Sequence, residues 1–210
     1  MNGIINVYKE RGYTSHDVVA KLRGILKQKK IGHTGTLDPE AEGVLPVCLG
    51  KATKLCDLLA GHDKVYEAVM LLGQSTDTQD TTGTVLESAP VTASEEEVRE
   101  AVLSFEGSYE QIPPMYSAIK IGGRKLYDIA RAGGEVERKA RQVNITFLEL
   151  GDSLPGGDYE LAVECSKGTY IRSLCADIGE ALGCGACMSA LRRTYSGDFR
   201  VEDALTLEEI

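Results

Sequence analysis

No run of about 18 consecutive apolar residues occurs in this chain, so a membrane-spanning helix has no candidate segment. The start, Met1-Asn2-Gly3-Ile4-Ile5-Asn6, also lacks the basic segment and apolar stretch of an export signal, and the chain reads as cytoplasmic with no membrane partner. Histidine is scarce: His16, His33 and His62 are the only three, all distant in sequence. Cys184-Gly185-Ala186-Cys187 has the two-residue gap of zinc and redox motifs, but a tetrahedral zinc site needs a second such pair or two closely spaced histidines. Neither Cys48 with Cys56 nor Cys165 with Cys175 supplies that spacing. No metal is therefore expected, and the cysteines read as small apolar residues in a reducing compartment. Internal repeats and low-complexity segments are absent as well. With 42% hydrophobic and 26% charged residues, 210 positions suit a single domain spanning 1–210.

Net positive charge is lacking too: the formal charge is −9, which at face value argues against a nucleic-acid partner. Its distribution points the other way. Residues 9–30 and 120–141 hold 14 of the 23 basic residues and are net positive by five and four, leaving −18 for everything else. Such segregation can present a basic face to phosphates, with Lys9, Lys29, Lys30, Arg124 and Lys125 as candidate contacts. The competing reading is that these are solvated helix faces.

What the chain does have is concentrated in Gly32-His33-Thr34-Gly35-Thr36-Leu37-Asp38-Pro39 and the following Glu40-Ala41-Glu42-Gly43-Val44-Leu45-Pro46. Glycines and prolines pin the backbone around one carboxylate, Asp38, among small polar residues that let a ligand approach. Alternatively Asp38 N-caps a helix beginning at Pro39, which needs no chemistry. The nearby Gly50-Lys51-Ala52-Thr53 fails as a phosphate loop, because its lysine is not followed directly by Ser or Thr and Gly43 lies seven residues before Gly50.

Periodicity predicts a strand over Ile4–Tyr8, a helix capped by Thr14 or Ser15 with Val18, Val19, Leu22, Ile25 and Leu26 on one face, and a buried strand over Val44–Leu49. A helix over Lys51–Ala60 stopped by Gly61 follows, then strands at Val65–Leu72 and Val85–Leu86 joined by an exposed polar stretch, Gln74–Thr82. Ser94 and Glu97 form a capping box for an amphipathic helix. A constrained segment Ile112–Ser117, a basic helix Arg124–Ala132, strands Val143–Leu150 and Tyr159–Cys165, and a helix Tyr170–Leu182 complete an α+β pattern.

Several blocks in the same order resemble the TruB family of tRNA pseudouridine-55 synthases. They are Lys9–Ser15, Gly32–Pro39, Lys64-Val65-Tyr66, Pro113–Ala118 with Gly123–Tyr127, Ser166–Leu174 and Leu191–Thr194, covering nearly the whole chain. The resemblance implies a pseudouridine synthase catalytic fold with a mixed, mostly antiparallel sheet flanked by helices. It implies isomerisation of a T-loop uridine in tRNA, at position 55, without a cofactor, by a monomer. Asp38 is then the essential carboxylate, Tyr66 the aromatic over the flipped base and a candidate to remove the C5 proton, and Arg172 the guanidinium that holds the carboxylate ionised. His33 lines the pocket or touches RNA, and Leu191 supplies an apolar contact. Departures are Tyr8-Lys9-Glu10, where the family usually has Asp-Lys-Pro, and an end at Ile210, where the family continues into an RNA-binding domain of PUA type, expected to be absent here. A tRNA-binding or folding module without turnover, and the same chemistry on another RNA, are the alternatives.

Overall fold

The computed structural model describes residues 1–210. In chain order the elements are β1 (Gly3–Lys9), α1 (Ser15–Ile25), β2 (Ile31–His33), β3 (Glu42–Leu49), a 3-10 turn (Gly50–Leu55), α2 (Cys56–Ala60), β4 (Lys64–Leu72), β5 (Gln74–Thr76) and β6 (Val85–Ser88). There follow α3 (Glu95–Leu103), β7 (Gly107–Gln111), β8 (Lys120–Ile121), β9 (Arg124–Lys125), α4 (Leu126–Arg131), β10 (Arg141–Ser153), β11 (Asp158–Cys165), α5 (Ile171–Ala181), β12 (Ala186–Ser196) and β13 (Phe199–Arg200). This is an α+β architecture built on a large, mostly antiparallel sheet.

Helix starts follow local chemistry. Thr14 caps α1 by accepting from the Asp17 amide at 3.0 Å while the Asp17 carboxylate accepts from the Thr14 amide at 2.9 Å, and Ser94 and Glu97 repeat the arrangement at α3.

Two compact units share the chain. The first comprises Met1–Glu67, Ala162–Lys167 and Ala190–Ile210, with strand order β1–β3–β12–β4–β11, β2 also pairing with β3 and β13 with β12. β1 runs antiparallel to β3 from Gly3 opposite Leu49 to Lys9 opposite Gly43. The first two residues of β3 pair in parallel with β12, Arg192 opposite Glu42 and Arg193 opposite Gly43. α1 lays Val18, Val19 and Leu22 against Val7, Ile31, Leu45, Val47 and Leu49, and each such fully buried side chain contributes about 1.5–3 kcal/mol. Ile25, expected on that apolar face, is exposed.

The second unit comprises Ala68–Leu161 and Gly168–Ser189, with strand order β12–β4–β11–β10–β7 and two small hairpins, β5–β6 and β8–β9. α3 buries Val98 and Val102, and α5 buries Ile171, Leu174 and Ile178.

Four further expectations change. The chain over 34–41 is not helical, so Asp38 is no N-cap. The segment 50–60 is a 3-10 turn followed by a short α-helix. Arg124 and Lys125 belong to a hairpin strand rather than to the helix after it. The stretch Gln74–Thr82 is not simply exposed: Thr76 is buried, and the Asp80 carboxylate accepts from the hydroxyls of Thr78 and Thr82 at 2.7 and 2.6 Å, turning the chain back on itself.

β12 carries no alternation that announces it, yet it is central to the first unit. Gly43 makes its pairing with β3 possible: with φ +105, it brings its α-carbon so close to Arg193 that an added Cβ would lie 2.2 Å from the Arg193 carbonyl oxygen. Gly43→Ala should therefore lower the unfolding free energy by on the order of 3 kcal/mol, measured by urea unfolding, with no change in the slope of the transition.

Candidate active site

The loop 34–41 is fastened at nearly every residue. Ser15 Oγ accepts from the Leu37 amide at 2.9 Å and donates to the Leu37 carbonyl at 3.2 Å. The Gly12 amide donates to the Pro39 carbonyl at 2.8 Å, the Thr34 amide to the Pro46 carbonyl at 3.1 Å, and the Ala41 amide to the Asp38 carbonyl at 3.1 Å. Leu37 anchors the loop in the apolar interior, being 4% exposed. Asp38 thus stands on a backbone determined from both sides.

Two buried cations complete the fastening. Lys9, at the end of β1, is 0% exposed, and its ammonium donates to the carbonyls of Glu10, Pro39 and Ala41. It therefore cannot touch phosphate as the basic window implied: it braces the loop from beneath. Burial pushes its pKa down to about 8, against the opposing pull of the Asp38 and Glu40 charges. Arg193, 1% exposed on β12, donates from Nε to the Val44 carbonyl at 2.8 Å and from Nη2 to the Gly35 carbonyl at 3.3 Å. Arg193 was not singled out from sequence; its only signal was membership of the Leu191–Thr194 block.

β4 alternates buried residues with half-buried or exposed ones, which puts Lys64 and Tyr66 on one face. Lys64 donates to the Ala60 carbonyl at 2.7 Å and also to the His62 carbonyl, capping the end of α2. Burial raises the Tyr66 pKa; the Asp38 charge adds to the rise and the Arg193 guanidinium opposes it. Asp38, Tyr66 and Arg193 therefore share one electrostatic field, and the Tyr66 phenol is protonated at neutral pH. His33 is packed edge-to-face with His16 at 5.5 Å, and its pKa is lowered by burial, then by His16 and Arg193, so its ring is neutral.

Of the expected RNA contacts, His33, Lys29 and Lys30 line one cleft of about 520 Å³, joined by His16 and Arg23. Leu191 is half-buried on β12, on the same face as Arg193. Arg124 and Lys125 lie in the second unit, where the Lys125 ammonium reaches the Tyr127 hydroxyl at 2.8 Å.

Arg172 belongs to the second unit, in the first turn of α5, and is buried at 5% exposure. Its Nη1 donates to the Thr78 carbonyl and its Nη2 to the Tyr116 carbonyl, each at 2.8 Å, with an Asp80 oxygen 3.9 Å from Nε. Fixing a planar guanidinium by carbonyls at separate points orients it far more closely than a surface ion pair would.

In the first unit the candidate site is thus a carboxylate on a fastened loop, a buried tyrosine and two buried cations, and the class of protein that carries it, the pseudouridylate synthases, is shown by its relatives. Residues 23–171 match the TruB family pseudouridylate synthase N-terminal domain, and residues 172–210 the tRNA pseudouridylate synthase B C-terminal domain. Relatives named tRNA pseudouridine synthase B include that of Lachnoclostridium phytofermentans, 61% identical over all of this chain and 71% of its own length, and that of Alkaliphilus oremlandii, 55% identical over all of this chain and 70% of its own. A solved structure titled "Crystal Structure of a Cbf5-Nop10-Gar1 Complex" superposes with a TM-score of 0.77 at 38% identity over 98% of this chain, which spans 52% of that chain. The chain belongs to the TruB family of pseudouridylate synthases.

The Lys9 environment has a measurable signature. Its pKa in the fold, about 8, lies below the 10.5 of the free side chain, so between these values the unfolded chain holds a proton that the folded one has lost. Stability should rise with pH across that window, by roughly 3 kcal/mol at most, relative to Lys9→Met, which should show no such slope in denaturant melts from pH 7 to 10.5.

Proposed function

We propose that this chain isomerises uridine to pseudouridine at position 55 in the T loop of tRNA, with Asp38, Tyr66 and Arg172 as the catalytic groups. In this reaction the N1–C1′ bond breaks, the base turns, and a C5–C1′ bond forms while C5 gives up its proton and N1 gains one. Atoms and electrons balance within the substrate, so the chemistry calls on acid, base and nucleophilic groups alone. The observation that carries the reading is the Asp38 loop, fastened on backbone hydrogen bonds and buried cations beside a buried tyrosine. Placement of that kind supplies the positioning on which such a reaction depends.

Three routes are open to a carboxylate at this point: addition to C6 of the base, attack on C1′, and removal of the C2′ proton. Tyr66, whose hydroxyl is held protonated by burial, suits stacking on the base better than taking the C5 proton. Arg172 is the proposed guanidinium for holding the reacting carboxylate ionised. The cleft lined by Lys29, Lys30 and His33 suits the backbone flanking an extruded nucleotide, and the Arg124–Lys125 hairpin a further stretch of phosphates.

With unmodified tRNA transcript tritiated at uridine C5, the chain should release tritium, and Asp38→Asn should release it at less than about a thousandth of the rate. Release should also vanish when the T-loop uridine is replaced by cytidine. Release from other uridines instead would move the chemistry to another site or RNA, and tRNA binding without release would make this a binding or folding module. Replacing Lys29, Lys30, Arg124 and Lys125 by Gln should weaken tRNA binding and flatten the slope of log affinity against log salt by roughly three to four units, read from filter-binding titrations.

A further inference from the structure

Gln111, the last residue of β7, is a neutral polar side chain only 1% exposed, and none of the chemistry above uses it. Its amide grips one peptide from both sides. Oε1 accepts from the Tyr170 amide at 2.8 Å, and Nε2 donates to the Tyr170 carbonyl at 3.0 Å. The second hydrogen of Nε2 points to the Tyr109 hydroxyl, which in turn donates to Asp177 Oδ2 at 3.3 Å, so the orientation of the amide is fixed by a directed chain of donors. Tyr170 is the N-cap of α5 and has no side-chain cap of its own, and Arg172 stands two residues later.

The same segment that starts at Gln111 reaches the other end of Arg172. Five residues on, the Tyr116 carbonyl accepts from the Arg172 guanidinium at 2.8 Å. Between the two contacts lie Pro113 and Pro114, whose rings fix φ and hold the preceding residues extended, giving the span a set length. One stiff stretch therefore holds both the backbone from which Arg172 springs and the group it carries.

We infer that Gln111 is a positioning residue for Arg172, and that Gln111 to Tyr116 act as a brace of fixed length that sets where the Arg172 guanidinium stands. The inference rests on the reading that Arg172 serves the reaction. It requires that loosening the grip on Tyr170 slow the reacting step while leaving tRNA binding alone, because a displacement of about 1 Å in a catalytic group costs up to about a hundredfold in rate.

The test compares Gln111→Glu, Arg172→Lys and the double variant on tritiated tRNA. Glutamate keeps the size and the acceptor but loses both amide donors to the Tyr170 carbonyl and the Tyr109 hydroxyl. Gln111→Glu should lower kcat roughly tenfold to a hundredfold, leave KM within about twofold, and cost nothing further in the Arg172→Lys background, since residues acting through one another are not additive. A loss confined to KM, an undiminished kcat, or a full further loss in the double variant would overturn the brace. Arg172→Lys at wild-type kcat would instead overturn the role of Arg172 itself, a separate result. Should Gln111→Glu fail to fold in thermal melts, Tyr109→Phe carries the same test: it keeps the ring and deletes the oxygen that Nε2 meets. A kcat equal to wild type in that variant would sink the proposal, and a severalfold loss absent from the Arg172→Lys background would sustain it.

Discussion

Two positive charges without water hold the first unit in its shape. Lys9 and Arg193 are buried, and an ammonium or guanidinium taken out of water costs several kcal/mol unless its hydrogens find acceptors. The acceptors are main-chain carbonyls of Gly35, Pro39, Ala41 and Val44, drawn from the loop around Asp38 and the strand that follows it. Any other course for that loop strands a charge. The conformation of the candidate catalytic carboxylate is in this sense dictated from below, by solvation, and the close approach at Gly43 is what brings Arg193 within reach.

Carbonyls differ from carboxylates as partners. A carbonyl dipole satisfies hydrogen bonds without cancelling charge, so a cation held this way still projects its field. That field is visible at Tyr66, where Arg193 opposes the effect of burial, and at His33, where Arg193 helps keep the ring neutral. In the second unit Arg172 is likewise carried by the carbonyls of Thr78 and Tyr116. Both units thus use backbone to orient guanidinium groups, a choice that fixes geometry while leaving electrostatic influence intact.

The parts of this architecture written in local rules could be read in advance. The capping residues of α1 and α3, the alternation of β4 around Tyr66, and the glycine- and proline-dense run around Asp38 are each properties of a few neighbouring residues. What could not be read depends on partners far along the chain. Lys9 sits in a basic window and looks like a phosphate contact; only the convergence of carbonyls thirty residues away shows that it is internal. Arg193 lies beside Arg192 in a strand with no periodic signal, and nothing local distinguishes the buried arginine from its more exposed neighbour. Arg172 stands out through the family resemblance alone, because the carbonyls that receive it belong to Thr78 and Tyr116, far along the chain.

A loop bolted in this way has little room to close over anything. Ser15 holds Leu37 by both its amide and its carbonyl, Gly12 and Lys9 hold Pro39, and Arg193 holds Gly35. On the role proposed for Asp38, the adjustment falls on the nucleic acid, which has to offer its nucleotide to a carboxylate that does not come to meet it. A uridine in a stiff duplex would pay the full cost of unstacking and unpairing, whereas one in a loop already bent outward pays a fraction of it. Rigidity in the protein becomes, on the RNA side, a selection for pliancy.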